Sequence, residues 1–165
     1  MPEVCAGEPT QFQPVEIDDF VALVQAGGEV EPERLRNRVM TRGVSLGFLR
    51  ESTGCLLGVG GLKAPFVSHR KQVATDSATA LAEGDFPYEL GWVFVLPSAR
   101  GRKLSFPLCE PLVTQAAGKG IFATSRIGNI GMHATLKKLG FVRTGKAWRS
   151  KQNQEELVLF LKKAV

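Results

Sequence analysis

The chain is poor in the residues and runs that mark disulfide-rich, metal-binding and membrane-spanning proteins. Its three cysteines, Cys5, Cys55 and Cys109, are spaced too widely for a disulfide framework or a metal site, so reduced thiols and no metal ion are expected. No apolar stretch is long enough to span a bilayer, and no membrane partner is expected. The N-terminal sequence lacks the basic and apolar regions of a signal peptide, which predicts a cytoplasmic protein.

The sequence also lacks internal repeats, low-complexity tracts and any helix-turn-helix, zinc or RNA-binding signature. Its formal net charge is +5, a basic balance that fits nucleic acid, an anionic membrane or simply an anionic cofactor. Apart from residues 100–103 and three short pairs, Lys and Arg are spread along the chain. This spread disfavours nucleic acid as a partner.

The composition is that of a globular domain. Hydrophobic residues make up 44% of the sequence and charged residues 22%, which is far from the balance of a disordered chain. A length of 165 residues is typical of one domain and allows a substantial core. We therefore expect residues 1–165 to form a single domain.

The stretch from Tyr88 to Ser105 holds the most information about function. Leu90 to Leu96 is an apolar run rich in β-branched and aromatic residues, as expected of a strand buried on both faces. Pro97 ends this strand because proline has no N–H to give to a sheet. Residues 100–103, here called the basic turn, then lead into a helix predicted over 103–118. A helix N-terminus behind a basic turn favours a bound anion.

Two motifs, in this order, resemble those of the GCN5-related N-acetyltransferase (GNAT) family. Val95, Pro97 and Arg100-Gly101 are similar to the family's acyl-CoA-binding motif, Val-x-Pro-x-x-Arg-Gly-x-Gly-x-Gly/Ala, although Lys103 and Ser105 replace two of its small residues. Residues 129–141 are similar to the signature Asn-x-x-Ala-x-x-x-Tyr-x-x-x-Gly-Phe, with the same spacing from Asn to Gly-Phe. The resemblance covers roughly residues 43 to 162.

The resemblance implies the α/β GNAT (acyl-CoA N-acyltransferase) fold, a mixed central sheet of about seven strands flanked by about four helices. It implies acetyl-CoA as the cofactor, held where the strands at 88–96 and 121–124 splay apart, with pantetheine paired along the first strand. The residues that it assigns to cofactor binding are Phe94, Val95, Arg100, Gly101, Arg102, Lys103, Leu104, Ser105 and Asn129. Asn129 would serve equally well as a helix N-cap.

The chemistry implied is direct attack of a primary amine on the thioester of acetyl-CoA. A backbone N–H near Phe94 or Val95 would stabilise the oxyanion. Glu89 is the first candidate for the general base, directly or through water, and a structural carboxylate is an equal alternative. His133 and Tyr88 are weaker catalytic candidates. The family often has a Tyr as general acid where this chain has Leu136, which cannot donate a proton.

The remaining segments predict elements on both sides of this stretch. The strand at 55–62 contains three glycines, Gly58, Gly60 and Gly61, which favour a bulge or twist over a ligand site.

The sequence of residues 64–87 predicts an irregular segment with at most a weak helix over 74–82, and His69 is most simply a solvated loop residue. Pro111 is expected to kink or divide its helix. The other predicted elements are a short first strand within 1–14, helices at 15–25, 31–41 and 129–139, and strands at 44–50, 121–124, 142–150 and 155–162.

The leading hypothesis is an acetyl-CoA-dependent N-acetyltransferase acting in a ternary complex with a small-molecule or peptide amine acceptor. The alternative is a non-catalytic acyl-CoA-binding sensor or regulatory module on the same fold. Residues 64–87 are expected to border the acceptor pocket, because a long segment of this kind is usually functional or disordered. The identity of the acceptor and the existence of a homodimer stay open at this point.

Overall fold

The computed structural model describes residues 1–28 and 32–165, in which five α-helices and seven β-strands follow one another. The strands are β1 (Glu3–Gly7), β2 (Ser45–Arg50), β3 (Leu56–Lys63), β4 (Tyr88–Val95), β5 (Ile121–Arg126), β6 (Val142–Arg149) and β7 (Glu156–Lys162). The helices are α1 (Pro14–Ala26), α2 (Pro32–Val39), α3 (Val67–Ser77), α4 (Ser105–Gln115) and α5 (Ile130–Lys138). Within these residues, no helix is both long and apolar enough to cross a membrane.

The strands form one mixed sheet in the order β1-β2-β3-β4-β5-β7-β6. The pairs β1–β2, β2–β3, β5–β7 and β6–β7 are antiparallel, whereas β4 and β5 run parallel. Parallel neighbours need a crossover connection, which α4 provides. The predicted α/β class with a seven-stranded mixed sheet is confirmed, with five helices in place of about four.

The chain divides into two compact units, and β4 contributes to both. The first unit comprises residues 1–63 and 90–115, and the second comprises residues 64–89 and 116–165. The first two residues of β4 pair with β5 inside the second unit, where Tyr88 lies opposite Ile121 and Glu89 opposite Phe122. The expectation of a single domain, and that of a cleft between β4 and β5, stay predictions.

The core of the first unit forms where α1 and α2 pack on the central strands. Pro14 occupies the first turn of α1, and the side chains of Gln13 and Glu16 form a capping box there. The helix predicted at 15–25 is confirmed, whereas the expected start of the second helix at Glu31 lies outside the described residues. The buried residues of this core are Ile17, Phe20, Val24, Leu35, Val39, Val44, Leu46, Phe48, Val59 and Trp92.

Glycines in β2 and β3 allow other elements to approach the sheet closely. A Cβ atom added to Gly60 would lie 3.1 Å from Leu112 Cδ1 of α4, and one added to Gly61 would lie 2.5 Å from Trp92 Cε3. At Gly58 the added atom would lie 2.9 Å from the backbone oxygen of Phe94. The register of β2 and β3 shifts beside Gly58, so the predicted bulge is confirmed there. The other two glycines accommodate protein side chains.

Helix α4 begins at Ser105, and Pro111 lies inside it without dividing it. Cys109, on the same helix, is fully buried, and desolvation raises the pKa of its thiol from 9.0 to about 12. Cys5 and Cys55 are exposed.

We therefore expect a disulfide-exchange reagent to modify two thiols in the ligand-free folded protein and the third, that of Cys109, only after denaturation, because the thiolate is the reactive form. The unfolded thiol loses its proton at lower pH than the folded one, so its contribution to the free energy of unfolding should fall as the pH rises from about 9 to about 12. Rapid modification of three thiols under native conditions would contradict this assignment.

The second unit corrects the expectation for residues 64–87. The helix there is α3, Val67–Ser77, in place of a weak helix at 74–82. Its face toward the core carries Arg70 and Ser77, both buried, alongside Val73. The two polar residues interrupt the apolar period by which a helix is recognised in sequence. With Val73, the buried core of this unit comprises Leu81, Phe86, Phe122, Leu159 and Leu161.

Candidate active site

Strand β4 departs from regular strand geometry at Trp92. The residue is in the left-handed region at φ +54°, which is uncommon for any side chain other than glycine. Its ring is buried, and its indole N–H has no hydrogen-bond partner among the described residues. An irregular residue of this kind re-aims the backbone groups that follow it, and such irregularities are frequent beside active sites. The groups that follow are those of Val93, Phe94 and Val95.

The basic turn takes a backbone course that explains the small residues in the motif that it resembles. Pro97–Ala99 form a short 3-10 turn, after which Gly101 has φ +82° and Lys103 has φ +59°. Both values lie in the left-handed region, where a side chain other than glycine costs roughly 1–2 kcal/mol. Lys103 therefore occupies a conformation that glycine adopts more easily.

The arginines of the basic turn make different contacts. The Nε–H of Arg100 donates to the backbone oxygen of Val95 at 3.1 Å, and its guanidinium lies over the Phe94 ring at 5.4 Å. Arg102 Nη1 donates at 2.7 Å to Oε1 of Glu51, which lies in the turn between β2 and β3. The first contact ties the turn to the end of β4, and the second is a surface ion pair of small energetic value. Arg100 therefore stabilises the conformation of the turn in addition to giving it positive charge.

The space above the basic turn fits an anionic group. A Cβ atom added to Gly101 would meet no heavy atom within 4 Å among the described residues, so the backbone is open to close approach. Arg100, Arg102 and Lys103 are all exposed around it. Leu104 packs on the core, and α4 begins at the next residue. An open glycine, three cations and a helix N-terminus form a cradle of the kind that binds phosphates.

Glu89 is a buried acidic residue of the second unit. Its side chain is 3% exposed at the start of β4, and its Oε2 lies 2.8 Å from Nε2 of His69. The His69 side chain is 39% exposed and projects from α3, with its ring 6.4 Å from that of Phe122. The expectation that His69 is a solvated loop residue is therefore wrong, because it lies on a helix and contacts a buried carboxylate.

Arg70, the next residue on α3, holds the chain that leads into β4. Its Nη1 donates to the backbone oxygen of Phe86 at 2.5 Å, and its guanidinium lies 5.6 Å from the Phe122 ring. Desolvation lowers the pKa of Arg70, while the charges of Glu83 and Glu89 act in the opposite direction. The cation near Glu89 thus has a structural role, and it also lowers the cost of a buried negative charge there.

The start of α5 carries the two other polar candidates. Asn129 is the N-cap, and its Oδ1 accepts a hydrogen bond from the backbone N–H of Met132 at 3.2 Å, which confirms the capping role. His133 Nε2 lies 2.9 Å from the backbone oxygen of Arg126, and its ring packs 5.0 Å from that of Phe160. Nε2 therefore carries a proton and donates it to that oxygen. These contacts give both residues structural roles, and their assignments to cofactor binding and catalysis stay predictions.

Leu136, at the position where the family often has a tyrosine, is completely buried on α5. A tyrosine there would have to push its ring and hydroxyl into a filled core. We expect Leu136→Tyr to lower the free energy of unfolding by about 1–3 kcal/mol, without adding a general acid. Chemical denaturation measures the first effect. A variant of unchanged stability and higher turnover would show that the side chain reaches the reacting groups.

The sequence-predicted residues fall into separate groups. In the first unit, Phe94 and Val95 end β4 and are separated from the basic turn by Leu96 and the 3-10 turn, whereas Leu104 and Ser105 directly follow the basic turn. In the second unit, Glu89 belongs to β4, while Asn129 and His133 belong to the start of α5. Nothing in the sequence predicted the contact between His69 and Glu89. The two residues are 20 positions apart, and Arg70 and Ser77 interrupt the apolar spacing of the buried face of α3.

Comparisons with known proteins find similarity in fold but not in sequence. No family model matches it, and no curated protein sequence matches it. An acyl-CoA N-acyltransferase from Pseudomonas aeruginosa is similar in structure, with a TM-score of 0.69 at 15% identity over 98% of this chain and 99% of that one. Arabidopsis thaliana NAA60 in complex with acetyl-CoA gives a TM-score of 0.68 at 12% identity over 97% and 98%.

A third solved structure extends the likeness to a bacterial protein that acts on another protein. The ribosomal-protein-S18-alanine N-acetyltransferase from Escherichia coli gives a TM-score of 0.67 at 11% identity over 99% of this chain and 94% of that one. These identities are too low to carry an acceptor or a catalytic residue from one chain to another. They confirm at the level of fold what the two motifs indicated: the chain has the fold of the GCN5-related acyl-CoA N-acetyltransferases.

Proposed function

We propose that the protein is an acetyl-CoA-dependent N-acetyltransferase that acts on a primary amine. The observation that carries this proposal is the open basic turn on a fold shared with acyl-CoA N-acyltransferases. A solved neighbour with this fold is in complex with acetyl-CoA. When bound, acetyl-CoA supplies a thioester that is activated for attack by an amine.

The cofactor-binding part of the proposal rests on the first unit. The backbone of Gly101 to Ser105 and the cations of the basic turn would hold the pyrophosphate, since the glycine leaves room and α4 directs its positive end toward it. Backbone N–H groups at Phe94 or Val95, re-aimed by the irregular Trp92, would stabilise the oxyanion. In the second unit, the amide nitrogen of Asn129 would donate to pantetheine while its oxygen caps α5.

The catalytic part of the proposal assigns the general base to Glu89. A carboxylate that is 3% exposed cannot meet a solvated amine directly without rearrangement, so water is the simpler path for the proton. The contact with His69 and the nearby charge of Arg70 both favour the ionised form that a base requires. His133 is the second candidate, although its Nε2 is engaged by the Arg126 carbonyl.

The acceptor is proposed to lie against part of the segment 64–87. Helix α3 fills the core of the second unit through Val73, so the segment is in large part structural. Residues 82–85 are exposed and are the part available to contact an acceptor. A small amine and the amine of a peptide are both consistent with this arrangement.

An acceptor screen that measures release of free CoA tests the proposal. Release that depends on both acetyl-CoA and an amine supports the enzyme. Binding of acetyl-CoA without release, across small amines, aminoglycosides, and peptides with free N-termini or lysines, would favour a non-catalytic acyl-CoA sensor. Such a sensor would also agree with a leucine at position 136.

A further inference from the structure

The contact between His69 and Glu89 joins a nearly buried acid to a partly exposed imidazole. Glu89 Oε2 and His69 Nε2 lie 2.8 Å apart, and the two side chains are 3% and 39% exposed. The residues are 20 positions apart in sequence, His69 on α3 and Glu89 near the start of β4. Phe122 of β5 lies beside the imidazole at 6.4 Å between ring centres.

The direction of the hydrogen bond at this contact depends on whether Glu89 is ionised. When it is, the carboxylate only accepts hydrogen bonds, so Nε2 of His69 carries the proton that lies between the two atoms. This holds for neutral imidazole as well as for imidazolium. A hydrogen bond to an ionised group is stronger than one between neutral groups. Removal of its donor from a buried carboxylate therefore favours the neutral acid.

We propose that His69 is the positioning residue of the acetyl-transfer reaction, orienting Glu89 and keeping it ionised as the base. The inference rests on the proposed function, because it deepens the assignment of Glu89. In the proton-transfer step, the carboxylate accepts the proton that the amine loses, and the resulting acid returns that proton to water. His69 keeps its own Nε2 proton throughout.

Two other charged residues, Arg70 and Glu83, do not have the contacts that this role requires. Arg70 on α3 interacts electrostatically with Glu89, but its Nη1 donates to the Phe86 carbonyl and its side chain is buried. The charge of Glu83 raises the pKa of Arg70, and that charge is negative, like the charge of an ionised Glu89. His69, by contrast, contacts Glu89 and is 39% exposed, so its side chain reaches both the carboxylate and solvent.

Two substitutions at His69 separate positioning from packing. His69→Phe keeps a ring beside Phe122 and removes the N–H, whereas His69→Gln keeps an N–H donor at nearly the same reach. Lys71→Ala, on the exposed side of α3, is the matched control for loss of a nearby polar group. For each protein the measurements are kcat/KM against pH with an acceptor found by the screen, the melting temperature, and the carboxyl carbon NMR signal of Glu89, identified by its absence in Glu89→Gln.

The proposal predicts a distinct pattern among these variants. His69→Phe should lower kcat/KM at neutral pH about tenfold, as expected for loss of a hydrogen bond to a charged group. Activity should recover as the pH rises, and the Glu89 signal should titrate at higher pH than in the wild type. His69→Gln should restore most of the activity, and Lys71→Ala should behave like the wild type. The rise in melting temperature with CoA should persist in all of them.

The contrary results are equally distinct. If His69→Phe and His69→Gln lose activity equally, with no change in the shape of the pH profile, then His69 only packs against its neighbours. An unchanged titration of the Glu89 signal in His69→Phe overturns the inference even if no acceptor is found, because that signal is independent of turnover. Failure of the proposed function alone would appear as a wild-type protein that transfers no acetyl group while its Glu89 signal still depends on His69.

Discussion

Replacement of Glu89 by glutamine is expected to lower kcat about a hundredfold or more, the usual contribution of a positioned base. Glutamine keeps the size and hydrogen-bonding reach of the side chain but cannot accept the amine proton. The loss should be greatest near neutral pH and should shrink as rising pH deprotonates the amine in solution. The rise in melting temperature caused by CoA should be unchanged, because the carboxylate is not assigned to cofactor binding.

Glu156→Gln is the control for this prediction. Glu156 is an exposed carboxylate of the second unit, at the start of β7, and has no assigned role in binding or catalysis. A general effect of losing one negative charge would therefore appear in both variants, and a catalytic effect only in Glu89→Gln. Wild-type activity of Glu89→Gln at every pH would remove Glu89 from the mechanism and leave His133 as the next candidate.

Gly101→Val should abolish the rise in melting temperature that acetyl-CoA causes in the wild-type protein. A ligand that binds only the folded state must stabilise it, and about 2.7 kcal/mol is expected at a hundred times Kd. The valine side chain would occupy the open space above the basic turn and would disfavour the backbone at φ +82°. Both effects prevent close approach of a phosphate.

Gly118→Val controls for backbone strain in this experiment. Gly118 has φ +80°, and an added Cβ would meet no atom closer than 3.5 Å, so the cost to folding should be similar. It follows α4, whereas Gly101 precedes it, and it has no assigned role in binding. Gly118→Val should start from a lower melting temperature and still respond to acetyl-CoA. An equal response in both variants would show that the cofactor does not approach the basic turn.

Much of the fold was predictable because its boundaries are encoded locally. Pro97 ends β4, and the left-handed Gly140 follows the end of α5, so both elements were placed within two residues of their observed ends. The strands predicted at 44–50 and 55–62 are likewise observed as β2 and β3, and the residues between them, Glu51 to Gly54, are typical of a turn. Such signals need no knowledge of distant contacts.

The parts that sequence could not provide depend on contacts between distant residues. Helix α3 was missed because the buried face includes Arg70, whose partners at Leu81 and Phe86 lie beyond the helix itself. The pairing of His69 with Glu89 joins residues on different elements, and no local spacing predicts it. The left-handed conformation of Trp92 runs against its intrinsic preference, so it too requires the folded structure.

The most direct test of the central claim is release of free CoA from acetyl-CoA in the presence of a panel of amine acceptors. Wild-type protein and Glu89→Gln should be compared side by side after both have shown a melting shift with CoA. The wild type is expected to release CoA in proportion to the acceptor acetylated, and Glu89→Gln to release it about a hundredfold more slowly. A wild-type protein that binds acetyl-CoA but releases no CoA with any acceptor, or that does not bind it at all, would contradict the account.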